Sequence, residues 1–313
     1  MPGSFRKVNY ALRPAKAIER KMIAEAIRHL APLIPTETLA YVGLGSPFFS
    51  DFTLFHRALG IENMTSIESE ESRKPRFELN RPFGCVALEY GNAGDVMRRL
   101  DWAGPMILWL DYDYAVKKSM LEDIRYAARR LTPPSVLLVT ADTRFGKEPD
   151  DRYDELVRRV GYNAVPDGTT LKDLDGWGSA AVSREIIFKK IEDTTSFSTA
   201  ARKRPKRKRY RQLFNFRYQD GAPMMTCGGV ILREEQETAF SKLGLSQMSF
   251  VRTGTRAFEI RVPSLTYREL HYFDSLLPTT DLRSIDRRSI PLQDLKAYSG
   301  VYRFFPAFVE AEL

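Results

Sequence analysis

The chain has 313 residues, with 48 Lys and Arg against 40 Asp and Glu. A hydrophobic fraction of 43% excludes wholesale disorder. Two cysteines, Cys85 and Cys227, cannot by themselves build a disulfide framework or a closed zinc cluster.

Residues 14–33 carry Ile18, Met22, Ile23, Ala26 and Ile27 at helical spacing. Lys16, Arg20, Lys21, Glu25 and Arg28 fill the other face, so an amphipathic helix is expected. An alternation follows. Apolar runs at 38–44, 64–68, 85–89, 106–110 and 135–140 read as strands. Residues 49–59, 72–80, 95–100 and 116–131 read as helices between them. Such alternation predicts a doubly wound, mostly parallel sheet that binds ligands at the carboxyl ends of its strands. Helices are expected at 150–160 and 180–191, and strands at 212–218 and 224–232 with a turn at 219–223. A helix at 234–243, a strand pair at 248–252 and 257–262, and a helix at 267–277 capped by Thr266 complete the prediction. No stretch approaches 18 uncharged apolar residues, and the first residues lack an apolar signal core. A cytoplasmic protein is expected, nuclear if the source is eukaryotic, with no membrane partner.

Three strand ends carry ligand-type residues. The first ends in Gly43-Leu44-Gly45-Ser46, where missing side chains let backbone approach a ligand. The second ends in Glu68, 23 residues past Gly45 and near the spacing at which an acid reaches a ribose diol. Asp95 follows the third. Asp111-Tyr112-Asp113-Tyr114 follows the fourth.

These residues resemble the class I S-adenosylmethionine-dependent methyltransferases. The resemblance covers residues 39–140 and the hairpin at 212–232, which is similar to the strand pair closing that family's seven-stranded sheet. It implies a Rossmann-like α/β fold over 38–232 closed by an antiparallel hairpin, to which the element pattern adds an N-terminal helical segment over 1–37 and a small α+β extension over 233–313. It also implies S-adenosylmethionine as cofactor. Gly43, Gly45 and Ser46 would lie under the methionine part, Glu68 at the ribose and Asp95 by the adenine. The family's first motif has a leading acid that is missing here, and Pro47-Phe48-Phe49 makes this loop bulky. The segment Asp111 to Tyr114 keeps the first acid and last aromatic of the D/N-P-P-Y/F/W motif of amino-methylating nucleic-acid enzymes. It lacks both prolines. By this resemblance Asp111 and Asp113 would orient or deprotonate an acceptor, and Tyr112 or Tyr114 would pack on it.

Two other readings stand beside it. Asp111, Asp113 and Asp142 would suit Mg²⁺ if the ends of strands 4 and 5 brought them together. Alternatively the fold is catalytically inactive and binds nucleic acid or a partner protein. This last reading draws on a basic run of eight charges in ten residues: Arg202, Lys203, Arg204, Lys206, Arg207, Lys208, Arg209 and Arg211. The other 303 residues balance at 40 against 40, so the net +8 belongs to this run. Like charges at this density predict an extended, solvated loop over 201–211 that is neutralised by an anion. Nucleic acid is the preferred partner and substrate class. Its place before the closing hairpin predicts a loop near the ligand-binding strand ends.

Overall fold

The computed structural model describes residues 13–146, 148–196 and 208–306. Alternating elements build the first half: α1 (Pro14–His29), β1 (Ala40–Leu44), α2 (Ser50–Leu59), β2 (Asn63–Glu68), α3 (Lys74–Asn80), β3 (Val86–Tyr90), α4 (Ala93–Met97), β4 (Met106–Ala115), α5 (Lys118–Arg130) and β5 (Ser135–Asp142). Then come α6 (Arg152–Val160), α7 (Gly178–Ser196), β6 (Lys208–Gln219), β7 (Pro223–Arg233), α8 (Glu237–Ser241), β8 (Phe258–Ile260), α9 (Tyr267–Asp274) and α10 (Leu292–Val301).

The strands form one sheet in the order β3-β2-β1-β4-β5-β7-β6-β8. β1 to β5 run parallel, and β7 turns antiparallel between β5 and β6. The chain therefore has the expected doubly wound, Rossmann-like α/β fold, closed by the β6–β7 hairpin. Strands buried on both faces favour near-continuous apolar runs, and all eight residues of β5, Val136 to Val139 at its centre, are buried. One face packs on α1, α2 and α3 through Ile18, Ile23, Phe52, Phe55 and Phe77. The opposite face packs on α4, α5 and α7 through Met97, Ile124, Ala127 and Ile187. Inside the sheet, Trp109 Nε1 donates to Thr140 Oγ1 at 3.0 Å, and Thr140 Oγ1 lies 2.7 Å from Thr226 Oγ1. These buried polar atoms satisfy one another across β4, β5 and β7.

Four expectations need correction. The polar face predicted for α1 is partly buried: Lys16, Glu19 and Arg20 are 1%, 0% and 7% exposed. The fourth strand does not stop at residue 110 but continues through Asp111 to Ala115, with a bulge against β5. The C-terminal strand pair is not formed. Only Phe258–Ile260 is a strand, and it pairs parallel to β6. Side chains of β6 hold the segment before it: Gln212 Nε2 donates to the carbonyls of Arg252 and Gly254, and Asn215 Nδ2 to that of Thr255.

The fourth correction concerns the basic run. Lys208, Arg209 and Arg211 belong to β6 rather than to a solvated loop. Lys208 Nζ donates to the carbonyls of Ala128, Arg129 and Leu131 at 3.2, 2.7 and 2.7 Å. It thus closes the C-terminus of α5, where unpaired carbonyls attract cations. Arg209 pairs with Glu234 at 3.2 Å and Arg211 with Glu237 at 2.9 Å. Lys208 stands opposite Arg233, at the amino ends of the parallel strands. The run therefore meets the sheet at the end opposite the ligand-binding edge. Arg202, Lys203, Arg204, Lys206 and Arg207 lie outside the described residues.

Candidate active site

A cavity of about 710 Å³ opens at the carboxyl ends of β1, β2 and β4. Gly45, Ser46, Glu68, Asp95, Asp111, Tyr112, Asp113 and Tyr114 all line it, so most of the candidate residues converge on one place.

Gly45 and Glu68 form its floor. Gly45 N donates to Ile67 O at 2.9 Å, which ties the loop after β1 to the end of β2. A methyl group on Gly45 would overlap Glu68 Oε1 and Ser66 Oγ. Any larger residue would have to displace the Glu68 carboxyl and the Ser66 hydroxyl, because both lie directly over the backbone. Ser66 Oγ donates to Glu68 Oε1 at 2.7 Å. Burial pushes the Glu68 carboxyl up to about 8, against the Ser66 hydrogen bond, which pulls it down.

Gly43 serves a different purpose from the one expected. It lies within β1, and a methyl there would stand 2.6 Å from the Tyr41 hydroxyl. That hydroxyl donates to Asp51 in the first turn of α2. Gly43 makes room for this pair. Burial first, then Asp51, drives the Tyr41 hydroxyl well above its ordinary value. The bulky Pro47-Phe48-Phe49 does not block the cavity. Phe49 adopts φ 43°, a left-handed turn that costs a non-glycine residue energy. The turn drops its ring into the core against Phe52.

The extension of β4 alternates its side chains. Asp111 points to the α1 face, and Lys16 Nζ reaches its Oδ2 at 2.9 Å. Lys16 also meets Glu19 at 2.8 Å and lies 4.5 Å over the Trp109 ring. Tyr112 points to the α5 face and donates to Asp123 Oδ2 at 2.8 Å. Burial and Asp123 drive its hydroxyl well above the ordinary value. Tyr114 stacks at an angle on Tyr112, with Lys117 3.8 Å over its ring. Asp113 is exposed. Asp95 is also exposed and pairs with Arg98 at 3.0 Å.

The three acids proposed for Mg²⁺ do not gather. Asp142 stands opposite Ala115 across the bulge and is held by Arg144 through two hydrogen bonds of 3.0 Å to its Nε. Asp111 is held by Lys16, and their charges are matched by cations instead of shared with each other. No cluster of three metal-ligating side chains occurs among the described residues.

Among the cavity residues that the sequence reading did not single out are Arg20, Asp51 and Asp123. The spacing of Arg13, Lys16 and Arg20 places all three on one helical face, but their charge marked that face as solvent-facing.

A family model described as "Putative O-methyltransferase" matches residues 8–313. The chain belongs to this methyltransferase family. Solved structures similar to this member include Trm1 from Pyrococcus horikoshii in complex with S-adenosyl-L-methionine, at 14% identity and TM-score 0.47. That match covers 77% of this chain and 60% of Trm1, so the chain spans less than two thirds of that protein's length. Cofactor-bound Rv0187 from MTB is similar at 13% identity and TM-score 0.40, covering 71% of this chain and 81% of that one. The plantazolicin methyltransferase BamL is similar at 13% identity and TM-score 0.41, covering 61% and 66%. A comparison of this methyltransferase-family chain with curated proteins finds no match. No helix among its described residues is long and apolar enough to cross a membrane.

Proposed function

We propose that the protein is an S-adenosylmethionine-dependent methyltransferase acting on a small neutral or cationic acceptor. The observation that carries the reading is the glycine cradle under Glu68. A buried carboxylate lies on a backbone that admits no Cβ, at the end of β2 and inside a 710 Å³ cavity. That volume falls within the ~300–1,000 Å³ of small-molecule sites. Burial raises this acid to about 8, so it keeps its proton at neutral pH, and a pair of hydroxyl donors would favour its ionised form.

Glu68 would take the ribose hydroxyls, with Gly45 and Ser46 beside the methionine part and Asp95 at the adenine edge. When bound, the cofactor would supply an electrophilic methyl group on a sulfonium. Asp111 would accept the acceptor's proton. Its side chain remains 28% exposed to the cavity while Lys16 fixes one oxygen at 2.9 Å. Tyr114 would provide an apolar wall for the acceptor, whereas the Tyr112 hydroxyl is already committed to Asp123. Holding acceptor and methyl donor in line is the main contribution open to these residues.

Eight carboxylate side chains line the cavity against four cationic ones. This balance favours a neutral or cationic acceptor over a polyanion such as nucleic acid. The described end of the basic run also lies at the far end of the sheet.

Calorimetry with S-adenosylhomocysteine tests the reading. Saturable binding to the wild type, weakened at least tenfold in Glu68→Ala, is expected. No heat at millimolar ligand with folded protein would sink it.

A further inference from the structure

Past Asp111, the end of β4 carries an aromatic pair into the cavity. Tyr112 and Tyr114 lie two residues apart, with ring centroids 5.1 Å from each other. Tyr112 is buried, whereas Tyr114 is only partly so. Asp123 of α5 locks the first ring: it accepts from the Tyr112 hydroxyl at 2.8 Å. Its other oxygen lies over Gly94 of α4, where a methyl would meet it at 2.7 Å. The second ring is left to line the cavity.

Lys117 shows what that ring accepts. Its ammonium lies 3.8 Å from the Tyr114 ring centroid. Asp113, Glu122 and Asp123 line the same cavity, yet Lys117 pairs with none of them among the described residues. Asp113 likewise makes no hydrogen bond or ion pair among those residues. An aromatic face attracts a cation through its quadrupole, and carboxylates on the same wall add to the pull. Lys117 stands at the N-cap of α5 but makes no side-chain cap there. Its flexible stem can therefore swing away without opening the helix.

We propose that the Tyr114 ring face binds an organic ammonium group of the methyl acceptor, and that Lys117 covers this face until the acceptor displaces it. This assignment rests on the methyltransferase reading and narrows its acceptor to a cationic one. The ammonium is a recognition group rather than the methylated atom, since a nitrogen with no lone pair cannot attack a sulfonium. Asp111 lies three residues back along β4, at most ~10 Å away at ~3.3 Å per residue. One small molecule can thus present its cation to Tyr114 and its nucleophile to Asp111. The two ends of this path differ in charge. Lys16 matches Asp111, whereas Asp113 beside the ring stays unpaired, so the attraction for a cation is concentrated at Tyr114.

The test compares choline with 3,3-dimethylbutan-1-ol, a neutral isostere in which carbon replaces the charged nitrogen. Calorimetry titrates each, to tens of millimolar, into protein saturated with S-adenosylhomocysteine. Wild type is expected to bind choline at least fivefold tighter than the isostere. Lys117→Met removes the internal competitor and should bind choline at least threefold tighter than wild type. Tyr114→Phe keeps the ring and should hold choline within threefold, whereas Tyr114→Leu should lose at least tenfold. In the Tyr114→Leu background the gain from Lys117→Met should vanish, because no ring remains to be uncovered. A gain that survives there would be a general charge effect and would overturn the inference. Equal affinity for choline and the isostere would overturn it as well, as would no choline binding to wild type and Lys117→Met. Each of these outcomes leaves the cofactor reading intact, since S-adenosylhomocysteine is bound throughout. Wild-type protein that binds no S-adenosylhomocysteine would sink that reading and this inference with it. Should Tyr114→Leu fail to fold, the choline methyl resonance decides. An upfield ring-current shift is expected on binding to Lys117→Met, and bound choline without that shift would refute the site.

Discussion

Glu68 and Gly45 make opposite demands on one another. The carboxylate is buried where it would rather be neutral, and the glycine exists to leave it room. Gly45→Ala should therefore cost about 1–3 kcal/mol through overpacking and also displace Glu68. Thermal denaturation and S-adenosylhomocysteine titration are expected to fall together. Glu68→Gln separates packing from charge. With its carboxyl raised from 4.5 to about 8, the folded protein keeps a proton that the unfolded chain releases between those values. Stability from this group is full below pH 4.5 and is lost as pH rises toward 8. Glu68→Gln should thus gain in Tm over the wild type between pH 5 and pH 9, at about 2–4 °C per kcal/mol recovered. The same variant should bind S-adenosylhomocysteine more weakly. A Tm difference that does not change with pH would show that Glu68 is not the titrating group.

Two elements are closed by side chains that arrive from far along the chain. The first helical N–H groups of α1 have no intrahelical acceptor, and Arg13 offers no side-chain cap. Asp220 takes both Ala15 and Lys16 amides across more than 200 residues of sequence. Asp220→Ala is expected to cost about 1–2 kcal/mol in urea denaturation, the upper range for a lost cap. At the other end of the sheet, Lys208 donates to three terminal carbonyls of α5, and burial lowers its ammonium to about 8. Lys208→Ala should cost about 1–3 kcal/mol by leaving those acceptors unpaired, with S-adenosylhomocysteine affinity unchanged. Hydrogen exchange at the end of α5 would localise the effect. Neither cap has a local sequence signal, since capping motifs are read within four residues of the helix end.

The whole molecule separates its charges along the strands. Acids gather around the cavity at the carboxyl ends, and the described part of the basic run enters at the amino ends. The eight residues of β5 span ~26 Å between those ends at ~3.3 Å per residue. That exceeds the ~8–10 Å over which exposed charges act at physiological salt. Replacing Arg209 and Arg211 with Gln should therefore leave S-adenosylhomocysteine affinity within twofold. A tenfold change would place the run at the active face after all. The residues after β5 also depend on the whole fold. Gln212 bonds Arg184 of α7 on one side and the carbonyls of Arg252 and Gly254 on the other. One polar side chain thus replaces the hairpin that hydropathy predicts there.

The sequence by itself determined the order of elements and the sheet class, because a strand buried on both faces must be continuously apolar and a helix between strands must be amphipathic. It also located Gly45, Glu68, Asp95 and Asp111 as candidates, because strand ends are where this sheet class exposes backbone and acids together. It could not show that Tyr41, two positions from Gly43 on the same face of β1, fills the space beside that glycine. Only the tertiary structure decided the fate of the charged residues. Lys16, Glu19 and Arg20 look like a solvated face until Asp111, Trp109 and the cavity are brought against them. Asp142 looks like a metal ligand until Arg144 takes it. Lys208 looks like part of a loop until α5 ends beside it. Apolar burial is a property of each residue and survives in a one-dimensional reading. The partner of a charge is a property of the fold, and the partners here come from elements distant in sequence.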